Sequence, residues 1–297
     1  MSSLSALLTS PQEQSADGFL TSISDVEYGQ IRDYFYKRSG IYFDDSKRYF
    51  VDKRVISRIK ATGHEDFRSY FSFLRFDPSQ SELQYLVNLM TVNETYFFRE
   101  EYQLRAMVQG ALQDIVRNKQ PGDSIRIWSL PCSTGEEAFS IALYLLEFWP
   151  ELEKYEVEII GSDIDTHVLQ KAKRGKYSAR SVKNLPKYIK QKYFRHEVQS
   201  DTYQLVQEVR ECVGFTTVNL HDDQSMAEFS KFDLIFCRNL LIYFDDVSRR
   251  QAAERLFDAL NPEGILFLGH SETMSRVSSL FKVRRYCDTT GYKKELP

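Results

Sequence analysis

From Ser24 to about Met90 the apolar positions recur every three to four residues: Ile31, Tyr34 and Phe35; Tyr49, Val55, Ile56 and Ile59; Phe67, Tyr70, Phe71 and Leu74; Leu83, Leu86, Val87 and Met90. That is the period of amphipathic helices. Ser24 with Glu27 three residues on has capping-box spacing, and Gly40, Gly63 and Asp77-Pro78 interrupt the pattern. The spacing predicts an all-helical domain of about four helices over residues 21–90. From Ile125 the texture changes to short apolar runs alternating with helical stretches, the signature of a mostly parallel sheet with helices on both faces. The predicted strands are Ile125–Ser129, Val157–Ser162, Val213–Asn219, Phe232–Cys237 and Ile265–Gly269. Phe281–Tyr286 and Gly291–Lys294 have no helix between them and should close the sheet edge as an antiparallel hairpin.

The remaining segments set the boundaries. Residues 1–20, rich in Ser, Gln and small side chains, read as a disordered leader. Residues 91–105 form a linker that is both polar and aromatic, and residues 106–297 form the sheet domain. Lys171 to Arg195 carries ten Lys or Arg and no Asp or Glu. Tyr203 to Val209 then alternates like a strand, which predicts a helical excursion followed by a small antiparallel insertion at about 190–212. A ribbon of that kind, protruding with open edges, is suited to docking by strand addition.

Composition narrows the class. With 297 residues, 42% of them hydrophobic, the chain can fill a real core. A formal net charge of −3 gives no global reason to expect a nucleic-acid partner. The four cysteines, Cys132, Cys212, Cys237 and Cys287, form neither a disulfide framework nor a zinc spacing, so no metal is expected and a reducing cytoplasm is the simplest home. No segment has the apolar length of a membrane span, so membrane contact is expected only through a partner.

Chemistry concentrates where the strands end. RIWSLPCSTGEEAFSI, Arg126 to Ile141, reads as strand, tight turn and helix, and such a turn leaves a crevice at the carboxyl edge of the sheet. It lacks the G-x-G-x-x-G fingerprint and places Glu136 and Glu137 where a phosphate loop needs bare amides, so a cationic ligand without phosphate suits it. Asp163 and Asp165 follow the second strand, Asn219 the third, and Arg238 and Asn239 the fourth; a parallel sheet brings all these ends to one edge. A carboxylate accepts from two vicinal hydroxyls, so Asp163 is assigned to a ribose, whereas Asp165 before Thr166 reads as a helix N-cap. Cys132 reads as a small buried filler and His270 as a hydrogen-bonded structural histidine.

TVNETYFFRE, PCSTGEEAFSIA, GSDIDTHVLQKA, FTTVNL, FDLIFCRNLLIYFD and GILFLGHSE together resemble, in order and spacing, the bacterial chemotaxis receptor methyltransferases of the CheR family, across roughly residues 24–293. The resemblance implies a class I S-adenosylmethionine (SAM) methyltransferase fold, Rossmann-like with a mostly parallel sheet and a small antiparallel β insertion, plus an all-α N-terminal domain. It implies transfer of the SAM methyl to receptor glutamates, giving glutamate methyl esters and S-adenosylhomocysteine, and hence sensory adaptation. Carried over position by position, Asn93, Thr95 and Arg99 resemble the linker contacts to SAM, and Glu136 the acid facing the methionyl ammonium. Asp163 resembles the ribose ligand, Asn219 and Leu220 the adenine contacts, and Arg238 and Asn239 the contacts after the fourth strand. Arg99 and Tyr243 resemble the residues that orient the substrate; for Arg238 an ion pair with Glu136 or Asp163 is the alternative, and for Asn93 or Thr95 a helix cap.

The implied partner is the cytoplasmic domain of transmembrane chemoreceptors, with the enzyme cytoplasmic and held at receptor arrays by protein contacts. Lys47 to Lys60 holds six cations against one acid, and at about 100° per residue Lys47, Arg54 and Arg58 share a narrow stripe. That stripe reads as a solvated helix face or as a docking face for an acidic bundle. A receptor C-terminal peptide tether at the insertion is a further possibility, although FRHEVQSDTYQL, Phe194 to Leu205, has no matching pattern. Two other readings compete: a catalytically weak SAM-binding adaptor of a chemosensory array, and a nucleic-acid methyltransferase suggested by the basic run. The second has neither a net positive charge nor an amino-methylation motif in its favour.

Overall fold

The computed structural model describes residues 22–295. The leader expected over residues 1–20 lies outside them. The chain divides into two compact units, after Thr91.

Among the described residues the first unit holds four α-helices: α1 Asp25–Ser39, α2 Arg48–Ala61, α3 Phe67–Phe76 and α4 Ser81–Met90. Ser24 and Glu27 form the capping box of α1, and Gly40 ends it in the left-handed conformation. Ile31, Phe35, Val51, Val55, Ile59, Tyr70, Leu74 and Leu86 are all buried, as the helical period requires.

The second unit begins with an irregular segment whose Phe97–Glu100 portion is a turn; α5, Glu101–Ala106, is already helical, so the linker expected to reach residue 105 ends earlier. A π turn, Met107–Ala111, joins α5 to α6, Leu112–Val116. Next come β1 Ser124–Ser129, α7 Glu136–Phe148, β2 Glu156–Asp163 and α8 Thr166–Arg174. A small sheet follows, of β3 Lys176–Ser178, β4 Phe194–Glu197 and β5 Thr202–Leu205, with α9 Lys187–Tyr193 between β3 and β4. The main sheet resumes after α10 Gln207–Glu211 with β6 Val213–Thr217, α11 Asp223–Met226, β7 Phe232–Cys237, α12 Asp246–Ala259 and β8 Leu260–Leu268. The hairpin β9 Lys282–Tyr286 and β10 Thr289–Lys293 closes it.

The main sheet runs β6-β2-β1-β7-β8-β10-β9, parallel from β6 to β8 and antiparallel at β10 and β9. Strand order reverses between β1 and β7, the switch point at which open α/β sheets leave a crevice. This is the class I SAM-methyltransferase architecture. Ile127, Trp128, Leu234 and Phe236 are fully buried in the two strands flanking that point.

Other boundaries also differ from the sequence reading. The antiparallel insertion begins at Lys176, within the basic run, because Lys176, Tyr177 and Ser178 pair with Gln204, Tyr203 and Thr202. Its inner residues Tyr177, Phe194 and Leu205 are buried in the same core as α7, so only the tip protrudes. The third strand stops at Thr217, two residues short of Asn219. There the carbonyl and side-chain oxygens of Asn219 accept from the Asp222 and His221 amides and turn the chain toward α11.

Candidate functional site

The site is built around the turn from β1 to α7. Leu130 N–H donates to Phe236 O at 2.8 Å and Cys132 N–H to Ser162 O at 2.8 Å, so both neighbouring strands hold the turn. Ser133 and Gly135 take φ of 48° and 92°. At Gly135 a Cβ would lie 2.9 Å from Ala172 Cβ, so glycine is required by space as well as by conformation. Cys132 is 1% exposed, and burial pushes its thiol well above the ordinary range; it is a core filler.

Asp163 sits at the end of β2, 2% exposed. Its Oδ2 accepts from Ser133 N–H at 2.8 Å and its Oδ1 from Asp165 N–H at 2.9 Å, so it ties the turn to its own strand. Burial outweighs these bonds and pushes the carboxyl up to about 6. A carboxylate has about four acceptor positions, so these amides do not exhaust it. Asp165 is the N-cap of α8, accepting from the His167 and Val168 amides, and it also accepts from Asn93 Nδ2 at 2.8 Å.

A cavity opens beside this turn at the switch point. Asn93, Thr95 and Arg99 of the segment before α5 line it, with Ser133 and Glu137 of the turn and helix, Asp163, and Arg238, Asn239 and Tyr243 after β7. Three predicted residues do not. Glu136 is 4% exposed and takes hydrogen bonds from Ser181 Oγ at 2.7 Å and Thr134 Oγ1 at 2.6 Å; burial raises its pKa. Its neighbour Glu137 faces the cavity in its place. The pattern GEE cannot say which acid points inward, because the left-handed residues Ser133 and Gly135 set the phase at which α7 begins. Asn219 and Leu220 lie past β6 and outside the cavity lining.

Glu137 and Arg238 form the electrostatic centre. Arg238, 5% exposed, reaches Glu137 Oε2 through Nη1 at 2.9 Å and Glu100 Oε2 through Nη2 at 3.1 Å. The expected ion-pair alternative for Arg238 is thus realised with different acids, neither Glu136 nor Asp163. Burial raises the Glu137 pKa, with Arg238 and Ser129 Oγ opposing it. For Glu100 burial also acts upward, but Arg238, His270 and Tyr102 together hold the carboxyl below its ordinary value. His270 Nδ1 lies 3.1 Å from Glu100 Oε1, so it is a hydrogen-bonded partner of this network.

The same network fixes Arg99. Arg238 Nη2 donates to Arg99 O at 2.8 Å, and the residues on both sides, Phe98 and Glu100, hold φ of 57° and 54°. Such conformations in non-glycine residues cost on the order of 1–3 kcal/mol each and persist where the surroundings over-determine them. Here Ser140 Oγ accepts from Phe98 N–H at 3.0 Å, and the Phe98 ring packs edge-on to Tyr144. The Arg99 side chain stays half-buried, Nη1 donating to Glu94 O at 2.8 Å, near enough to Tyr243 to act on its phenol.

The residues singled out for docking lie in the first unit. Arg58 makes a two-point ion pair with Glu82, Nη2 to Oε2 at 2.6 Å and Nε to Oε1 at 2.9 Å, and Tyr70 shares that carboxylate at 2.8 Å. Arg54 donates to Leu89 O at 2.6 Å and stacks on Phe50. Both arginines are committed within the unit, and of the stripe only Lys47 stands exposed. Helical spacing places cations on a face but cannot reveal a buried acid contributed by another helix.

Residues 26–91 match the all-alpha domain of CheR methyltransferases, and residues 93–288 match the SAM-binding domain of the same family. The chain belongs to the CheR family. It is 56% identical over 272 residues to chemotaxis protein methyltransferase 2 of Vibrio cholerae serotype O1, covering 92% of this chain and 94% of that one. It is 35% identical over 265 residues to the chemotaxis protein methyltransferase of Salmonella typhimurium, covering 89% of each. This chain is therefore a SAM-dependent chemotaxis methyltransferase.

The cavity suits the SAM of a CheR protein. A methionyl end carries one ammonium and one carboxylate, and the buried pair Glu137–Arg238 offers one charge of each sign. Arg238 Nε is buried without a hydrogen-bond partner, a donor that a ligand carboxylate would satisfy. Asp163 brings a carboxylate, an acceptor of hydroxyl donors, to the wall of the same cavity. Among the described residues no cluster of His, Cys, Asp or Glu could hold a metal ion, and no helix is long and apolar enough to cross a membrane.

Proposed function

We propose that this CheR protein methylates glutamate side chains in the cytoplasmic domain of transmembrane chemoreceptors, producing γ-glutamyl methyl esters and S-adenosylhomocysteine. One observation carries the reading: a single cavity joins the Glu137–Arg238 pair and Asp163, suited to the cofactor, with a half-buried Arg99 and Tyr243, suited to a carboxylate acceptor. When bound, SAM supplies an electrophilic methyl group on a sulfonium. A glutamate, with an ordinary pKa of about 4.3, is already ionised at neutral pH, so no residue need remove a proton.

Orientation is the chain's contribution. The Arg99 guanidinium stays protonated, so it aligns a carboxylate and cannot act as a base. Its backbone is pinned by Arg238 and by the neighbouring left-handed residues, which reduces the freedom lost on reaching the reactive alignment. Burial raises the Tyr243 phenol above its ordinary value, so it keeps its proton and donates. Glu137 receives the ammonium in place of Glu136, Asp163 the ribose, and Asn93 and Thr95 line the cofactor side with Asn239. Asn219 and Leu220, at the β6 end of the same sheet edge, are retained as adenine-side residues beyond the lined cavity.

The receptor would meet the first unit through Lys47 and the neighbouring exposed Lys53, since Arg54 and Arg58 serve the fold. The open edges of the small sheet leave room for a C-terminal receptor tether. This partner implies a cytoplasmic protein held at receptor arrays, with no nucleic acid involved.

The test is transfer of tritiated methyl from SAM to receptor-containing membranes, scored as base-labile radioactivity. Wild type should label the receptor. Arg99→Ala should lower kcat on the order of a hundredfold while S-adenosylhomocysteine affinity changes less, as expected when an orienting contact is lost. Cofactor binding with no base-labile label on any receptor would sink the proposal.

A further inference from the structure

A second groove adjoins the cavity and shares Ile242 with it. Its volume is about 440 Å³, and it runs between the start of α12 and the connection from β8 to β9. Leu241, Ile242 and Val277 give it an apolar floor, with Ile242 47% exposed. Arg249, Arg250 and Arg276 stand against two acids, Asp246 and Glu272.

Those acids are already engaged. Glu272 accepts from the amides of Asn239 at 2.7 Å, Gly269 at 2.9 Å and Ile242 at 3.3 Å, so its charge holds the loop that positions Asn239. Asp246 pairs with Arg249, which also donates to Leu241 O at 2.8 Å. Arg250 and Arg276 are exposed, and no hydrogen bond or ion pair engages either among the described residues. Two uncommitted guanidinium groups beside an apolar floor, in a groove that shares Ile242 with the candidate methyl-transfer cavity, fit an acidic amphipathic segment whose reactive glutamate enters that cavity.

We infer that the Arg250–Arg276 groove seats the acidic helical segment flanking the glutamate to be methylated, and so selects which glutamates reach Arg99 and Tyr243. The inference rests on the receptor-methylation reading and adds a selecting surface within the catalytic unit. Neither arginine lines the cofactor cavity, so the groove should act on the acceptor alone.

The experiment compares wild type, Arg250→Glu/Arg276→Glu and Arg250→Lys/Arg276→Lys on receptor-containing membranes, alongside direct binding of a soluble cytoplasmic receptor fragment. Charge reversal should raise KM for receptor and weaken fragment binding by roughly tenfold or more, because an attraction becomes a repulsion. The kcat at saturating receptor, S-adenosylhomocysteine affinity and Tm should stay at wild-type values. The lysine pair should keep most of the affinity, and added salt should raise KM for wild type more steeply than for the reversed variant. Unchanged KM and fragment binding in the reversed variant would overturn the groove while leaving methylation standing. Wild-type protein that neither binds the fragment nor methylates the receptor would overturn both. A fall in S-adenosylhomocysteine affinity equal to the fall in fragment binding would reduce the arginines to structural residues and reject the inference.

Discussion

Asp163 should make cofactor binding depend on protons. Its carboxyl titrates near 6 because burial opposes charge more than the Ser133 and Asp165 amides favour it. Under the proposed assignment ribose hydroxyls would donate to the carboxylate, and protonation would replace an acceptor by a donor. If only the ionised form binds, affinity follows the ionised fraction: nearly full at pH 7.5 and about a tenth at pH 5, or about 1.4 kcal/mol for each tenfold. Calorimetric titration with S-adenosylhomocysteine between pH 5 and 8, in two buffers of different ionisation enthalpy, reads both affinity and protons. Near pH 6 binding should release about half a proton, the share bound before ligand arrives. Asp163→Asn should flatten the profile and weaken binding by about 1.5–3 kcal/mol, the usual loss of a hydrogen bond to a charged group. Glu137→Gln, which removes the other cavity acid with a raised pKa, should keep the slope. The sign for stability follows: with the folded pKa above the ordinary 3.8, the ligand-free fold gains most below about pH 4 and loses that gain as pH rises through about 6. The cofactor should therefore raise Tm more at pH 7.5 than at pH 5. An affinity flat from pH 5 to 8, or a slope that survives in Asp163→Asn, would refute this account.

Three further outcomes separate the roles of neighbouring residues. Glu137→Gln should weaken S-adenosylhomocysteine binding by on the order of tenfold to a hundredfold, whereas Glu136→Gln should leave it within about threefold; calorimetry on both variants checks this, and the reverse order would restore Glu136 to the cofactor site. Arg58→Ala leaves the 3%-exposed Glu82 carboxylate without its cation and should cost about 3–5 kcal/mol by denaturant unfolding, so lost activity there would report folding before docking. Gly135→Ala must hold φ of 92° and push its methyl against Ala172, which should cost at least about 1–3 kcal/mol and lower Tm without changing the charges of the site.

The sequence by itself determined the architecture and the edge of the sheet at which the candidate site residues gather. Helical periodicity marked the first unit because each helix buries one stripe, and the strand–helix alternation marked a parallel sheet whose carboxyl ends must share one side. The motifs carried family membership and brought Asn93, Thr95, Arg99, Asp163, Arg238, Asn239 and Tyr243 to one cavity. Tertiary structure decided what depends on rotation and on distant partners. Which acid of GEE faces the cavity depends on how two left-handed residues launch α7, a phase that no local pattern records. Whether Arg58 is a docking charge or a structural one depends on Glu82, 24 residues away on another helix. Arg238 was legible as a residue of the sheet edge, but not as the link from Glu137 to the Arg99 carbonyl, because Glu100 and Glu137 reach it from separate elements. Charge and periodicity are properties of a segment; pairing and orientation exist only once the segments are packed.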